Sequence, residues 1–106
     1  MAEVRFTEQS ITDLEDIAGY ISKDSQFYAQ MQVQKLISRI NILERFPEIG
    51  RIVPELKTKS IRELVEGNYR IIYHIGTKEL VHILTFHHSR RKIRNSGIRK
   101  LIKPNR

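Results

Sequence analysis

The chain has 106 residues, 40% of them hydrophobic, which is enough for one domain with its own core. It has no cysteine, so disulfides, thiolate metal sites and a cysteine nucleophile are excluded together, and no apolar run approaches the ~20 residues of a membrane span. Its net charge of +7 is lopsided: residues 1–50 carry five Lys/Arg against eight Asp/Glu, residues 51–106 fourteen against four, and no acid follows Glu79.

Val4-Arg5-Phe6 is a short strand candidate. Thr7 can then N-cap a helix whose apolar residues Ile11, Leu14, Ile17, Ala18 and Ile21 recur at helical spacing. Asp13, Glu15 and Asp16 in this helix read as a solvated acidic face. After a break at Lys23-Asp24-Ser25, where Asp24 or Ser25 can cap, a longer helix carries the stripe Ala29, Val33, Leu36, Ile37, Ile40 and Leu43. Phe46-Pro47 ends it, because proline cannot continue a helix. Two amphipathic helices joined so closely form an antiparallel hairpin with one common surface to cover.

The second half supplies that surface. Residues 60–65, 69–75 and 80–87 are rich in β-branched and aromatic types, and Gly67-Asn68 and Gly76-Thr77-Lys78 separate them as turns, so an antiparallel meander is predicted. Alternation in the middle strand puts Tyr69, Ile71, Tyr73 and Ile75 toward the helices, and leaves the face bearing Arg70 and His74 open as a working surface. Ile93, Ile98, Leu101 and Ile102 suggest one more short helix, against which Gly97 and Pro104 argue. The layout is α+β: an N-terminal helical hairpin on a curved antiparallel sheet. It forms a single domain over 1–106, with a basic tail from about residue 91.

No repeat or low-complexity stretch divides the chain. The ten N-terminal residues lack the apolar stretch of a secretory signal, so a cytoplasmic protein is expected. Arg51, Lys57, Lys59, Arg62 and Arg70 form one basic set, and Arg90, Arg91, Lys92, Arg94, Arg99, Lys100, Lys103 and Arg106 another. Such a field attracts polyanions, either nucleic acid or an acidic protein segment; the plainer alternative for the tail is a solvated basic end.

Several residues carry the resemblance to a known family. Leu14-x-x-Ile17-x-x-Tyr20-Ile21, Phe46-Pro47-x-x-Gly50-Arg51, Ile61-Arg62-Glu63-Leu64, Gly67-Asn68-Tyr69-Arg70-Ile71-Ile72-Tyr73 and His87-His88-Ser89-Arg90 follow in this order over about residues 3–92. Together they resemble the RelE/ParE superfamily of toxins from type II toxin–antitoxin systems. The resemblance implies a cognate antitoxin that wraps and blocks the toxin in a hetero-oligomer. It also implies one of two targets: messenger RNA cleaved in the ribosomal A site, or DNA gyrase poisoned without chemistry by the toxin itself.

RNA cleavage through 2′-OH attack needs a base, an acid and positive charge at the phosphorane. Arg70 and Arg90 align with arginines of the RelE-like nucleases, with Lys57 and Lys59 in the place of their loop lysines. Their C-terminal tyrosine is missing: Ser96 stands near its position, leaving His87 or His88 for proton transfer. The arrangement His87-His88-Ser89-Arg90 is closer to the ParE branch. The expected target-binding set is therefore Arg51, Lys57, Lys59, Arg62, Arg70, Arg90 and Arg91, with gyrase the first target and the ribosome with its mRNA the alternative. A plain nucleic-acid-binding module is the third reading.

The competing structural roles are specific. Arg70 can pair with Glu63 or Glu66 on a neighbouring strand, Tyr69 and Tyr73 can be core aromatics, and His74 and His82 can be hydrogen-bonded strand residues. The four histidines lack metal-site spacing and carboxylate partners, so no metal or other cofactor is expected. Ser89 and His88, as neighbours on a strand, point to opposite faces and form no catalytic pair.

Overall fold

Thr7 sets the entry to the helical layer. Its hydroxyl accepts the Ser10 N–H at 3.1 Å while donating to the carbonyls of Ile83 and Leu84, so one residue caps a helix and ties it to a strand. A computed structural model describes residues 1–77 and 79–102, all but the side chains of Asn95 and Ser96. Its elements are β1 (Glu3–Phe6), α1 (Glu8–Ser22), α2 (Gln26–Asn41) with a 3-10 turn (Ile42–Glu44), β2 (Arg51–Ile52), β3 (Ile61–Glu66), β4 (Tyr69–Ile75), β5 (Leu80–His88) and α3 (Asn95–Arg99). The α+β layout, the helical hairpin and the short C-terminal helix are as expected. Lys78 of the second turn and residues 103–106 of the basic tail lie outside the described residues.

Of the two candidate caps for α2, Ser25 is the one used, accepting the Tyr28 N–H. The α-helix gives way to a 3-10 turn before the Phe46-Pro47 stop. Within that turn Leu43 stays fully buried, and the Glu44 carbonyl accepts the Ala2 N–H at 2.8 Å. The helical stripes are narrower than their spacing suggests, because Ile11 and Ile37 remain exposed.

The sheet has five strands in the order β1-β5-β4-β3-β2. β3, β4 and β5 form the expected antiparallel meander, but the sheet as a whole is mixed, because β1 lies parallel to β5. Parallel pairing needs a long crossover, and everything between the two strands supplies one. Ile72 pairs with Thr85 and Tyr73 with Ile83, so Leu84 is the extra residue of a bulge in β5. That bulge keeps Ile83 and Phe86 on the helix side while Leu84 turns to the other face.

The helix-side core gathers Leu36, Ile40 and Leu43 against Leu64, Ile71, Tyr73, Val81, Ile83 and Phe86. The opposite face differs from expectation: much of it is covered. Val53 and Leu56 of the β2–β3 loop, with Ile93 and Ile98 of the C-terminal segment, bury Ile61, Ile72 and Leu84 as a second cluster, and Leu101 and Ile102 pack beside it. Four buried apolar side chains, two from the loop and two from the C-terminal segment, are the reason. Exposed, each would forgo roughly 1.5–3 kcal/mol of burial.

Candidate functional site

Arg70 lies on this second face, opposite Val65 on one side and His87 on the other. Glu63, facing Ile72 one step along, shares the face and is fully buried. The Arg70 guanidinium donates from Nε to Glu63, and from Nη1 and Nη2 to the two oxygens of Glu55 at 2.7 and 2.9 Å. Arg51 pairs with the other oxygen of Glu63. The result is two arginines and two carboxylates of zero formal charge, in which the buried Glu63 is satisfied from both sides. The hydrogen bonds from Arg70 hold the Glu55 carboxyl well below the usual range, at about 2. Glu55 in turn holds the Arg70 guanidinium even more firmly charged than usual. The sequence allowed Arg70 to pair with Glu63 or Glu66; Glu63 is the partner, joined by Glu55.

The remaining expected cations divide in two. Arg62 is a clasp: it donates to the backbone carbonyls of Lys59, Glu48 and Gly50 and so holds both ends of the β2–β3 connection. Lys57 and Lys59 are exposed on that loop, Lys57 with φ of 53°. Arg90 and Arg91 are exposed beyond β5. The second hydrophobic cluster brings the two sequence-distant basic sets together, and a 2.7 Å hydrogen bond from Arg99 to the Thr58 hydroxyl joins them. Arg99 was not expected in the site, because nothing local in the sequence says that its helix folds back over the loop.

The histidines are separated by the strand alternation. His87 shares the second face with Arg70, and its Nε2 lies 3.2 Å from the Lys92 carbonyl. Burial pushes its imidazole below the ordinary range. His88 points the other way, edge-on to Tyr69 with ring centroids 5.5 Å apart, and its Nδ1 accepts the Arg90 N–H. Strand alternation thus puts the two imidazoles on opposite faces of β5. His74 and His82 face each other across β4 and β5 at the far end of the same face, and the hydrogen bond expected for each is not found among the described residues. Burial and the neighbouring His82 hold His74 below its ordinary range. Among the described residues no group of three or more His, Cys, Asp or Glu could hold a metal ion.

Asp13 is a correction to the solvated acidic face. Its carboxylate accepts from the Thr85 hydroxyl and from the Phe86 N–H at 3.1 Å. β1 stops pairing with β5 at Ile83, so Asp13 satisfies strand edge that β1 leaves uncovered. Period-two alternation could have marked Glu63, an acid in phase with Ile61 on an inward face. Glu55 and Asp13 carry no such signal, since each reaches its partner across the tertiary fold.

Residues 4–93 match the family described as the ParE toxin of type II toxin–antitoxin systems. The chain is also 34% identical over 91 residues to Toxin RelE2 of Caulobacter vibrioides, covering 86% of this chain and 99% of that one. Two solved structures share the fold. One is from a chromosomal ParDE toxin–antitoxin system of P. aeruginosa (TM-score 0.68, 18% identity, 83% of this chain and 96% of the other). The other is from the RelBE2 toxin–antitoxin complex of Mycobacterium tuberculosis (TM-score 0.58, 22% identity, 82% and 96%). With the helical hairpin, the five-stranded sheet and the ordered motifs in place, the chain belongs to the ParE toxin family, within the RelE/ParE superfamily of type II toxin–antitoxin toxins.

Proposed function

We propose that this toxin acts in the cytoplasm by binding rather than by cleaving, with DNA gyrase as its target and a cognate antitoxin as its obligate partner in a hetero-oligomer. The observation that carries this reading is the state of Arg70, whose three donor nitrogens are all engaged by Glu55 and Glu63. A nuclease needs that guanidinium at the phosphorane. The exposed Lys57, Lys59, Arg90 and Arg91, with Arg99 and the guanidinium of Arg51, form the face that meets gyrase or the DNA bound to it. The same field suits an acidic antitoxin segment.

A ribosome-dependent endoribonuclease is the second reading, favoured by one observation: Arg70 and His87 are cross-strand neighbours on one face. The experiment that separates the two adds purified toxin to a gyrase supercoiling reaction. Inhibition or trapped cleavage complexes, relieved by the antitoxin encoded beside the toxin, is the expected result. Undisturbed supercoiling, together with codon-phased 5′ ends in the RNA of induced cells, would overturn it in favour of cleavage.

A further inference from the structure

We propose that Glu55 is an internal competitor for phosphate: its carboxylate occupies the oxyanion slot of Arg70, and the β2–β3 loop that carries it is the gate to that slot. This rests on the second face being the working face and adds the device that restrains it. The geometry is that of a ligand and its receptor. Two parallel N–H donors meet two oxygens at 2.7 and 2.9 Å, the fork that guanidinium offers equally to a carboxylate or a phosphate.

The two carboxylates on Arg70 are not equivalent. The Glu63 side chain is fully buried and also holds Arg51, so it is a fixed part of the sheet. The Glu55 side chain is 38% exposed and hangs from a loop anchored by Val53 and Leu56. It can swing outward without uncovering either anchor. With Glu55 away, two arginines face one carboxylate, leaving one unit of positive charge and two unsatisfied N–H groups on Arg70. A phosphate oxyanion restores both the charge and the hydrogen bonds, and Arg51, whose charge already acts on Glu55, is the second cation beside the slot. Glu55 has an acid range near 2, so the gate stays closed throughout physiological pH and opens only by exchange with another anion.

The test uses the full-length toxin, with inorganic phosphate as the probe against chloride at matched ionic strength. Glu55→Ala is expected to lower Tm by roughly 5–10 °C, and tens of millimolar phosphate to restore about half of that, while wild type responds to neither salt. Formate should rescue as phosphate does, since the slot reads a planar or tetrahedral oxyanion alike. Arg70→Lys in the same background should abolish the rescue, because an ammonium lacks the fork.

The variant should also bind a short single-stranded RNA about ten-fold more tightly than wild type does. If Glu55→Ala fails to fold in chloride, refolding in phosphate alone supports the slot, and failure in both overturns it. An Ala variant that folds but ignores phosphate, or a wild type that responds equally, overturns it too. These outcomes are read on purified protein and are distinct from the supercoiling result, so the gate and the choice of target stand or fall separately.

Discussion

Gly50 and Tyr73 show how much of the family motif is a single contact. The Tyr73 hydroxyl donates to the Pro47 carbonyl at 2.7 Å and accepts the Gly50 N–H at 2.9 Å, in the buried centre of the helix-side core. A Cβ on Gly50 would stand 2.5 Å from that hydroxyl and 2.6 Å from the Glu63 carbonyl, and the latter is backbone that cannot step aside. Phe46-Pro47-x-x-Gly50-Arg51 therefore states that a loop carbonyl meets a tyrosine, a glycine lets the chain pass it, and an arginine then reaches the buried Glu63. Gly50→Ala is expected to cost about 3 kcal/mol or more, since a clash with backbone forces the chain to move. Tyr73→Phe should cost about 1–3 kcal/mol through the orphaned Gly50 N–H. Urea unfolding of the double variant checks the assignment. Removing the hydroxyl clears one clash but leaves the Glu63 carbonyl, so Tyr73→Phe should rescue Gly50→Ala only in part. Full rescue would mean that the tyrosine alone makes the glycine necessary.

The C-terminal segment is held more weakly than the elements before it. Ile93 and Ile98 are its buried anchors, together worth roughly 3–6 kcal/mol of gross burial. Its tie to the loop it covers is a surface one, the hydrogen bond from Arg99 to the Thr58 hydroxyl. Ile98→Asp should therefore release the segment while β3, β4 and β5 stay protected. Hydrogen exchange would show residues 93–102 exchanging at near-free rates and Ile71 or Ile83 unchanged; loss of protection throughout would make the segment part of the global fold.

The same balance explains what was legible beforehand. Thr7, Ser25, the two helices and the three central strands follow local rules of capping and alternation and appear in the structure, although the exposed Ile11 and Ile37 leave the helical stripes narrower than their spacing. The cover over the second face follows no local rule. Its apolar residues are spread between a loop and a broken pattern around Gly97, and only their common contact with Ile72 and Leu84 gives them a purpose. Arg70 was legible as a sheet arginine with an acid nearby, whereas the second acid, Glu55, comes from a loop whose path the sequence does not state.

At the scale of the whole molecule, the charge asymmetry of the sequence overstates the cationic surface and understates its focus. Two of the four acids after residue 50, Glu55 and Glu63, are spent neutralising Arg51 and Arg70. What faces outward is a smaller set that includes Lys57, Lys59, Arg90 and Arg91. Only cations that displace counterions from phosphate contribute to the salt dependence of nucleic-acid binding, about 0.9 in log K per log salt for each contact on duplex DNA. Lys57→Ala with Lys59→Ala should therefore reduce the slope for a duplex oligonucleotide by close to 2, with Tm nearly unchanged. Arg70→Met should leave the slope alone and lower Tm, since it leaves the buried Glu63 with Arg51 alone and removes no cation from the outward surface. Fluorescence anisotropy across a salt series, beside thermal melts of the same preparations, distinguishes the two kinds of basic residue. If the slope falls with Arg70 and not with the lysines, the guanidinium already reaches phosphate in the wild type, and the neutral cluster is open in solution.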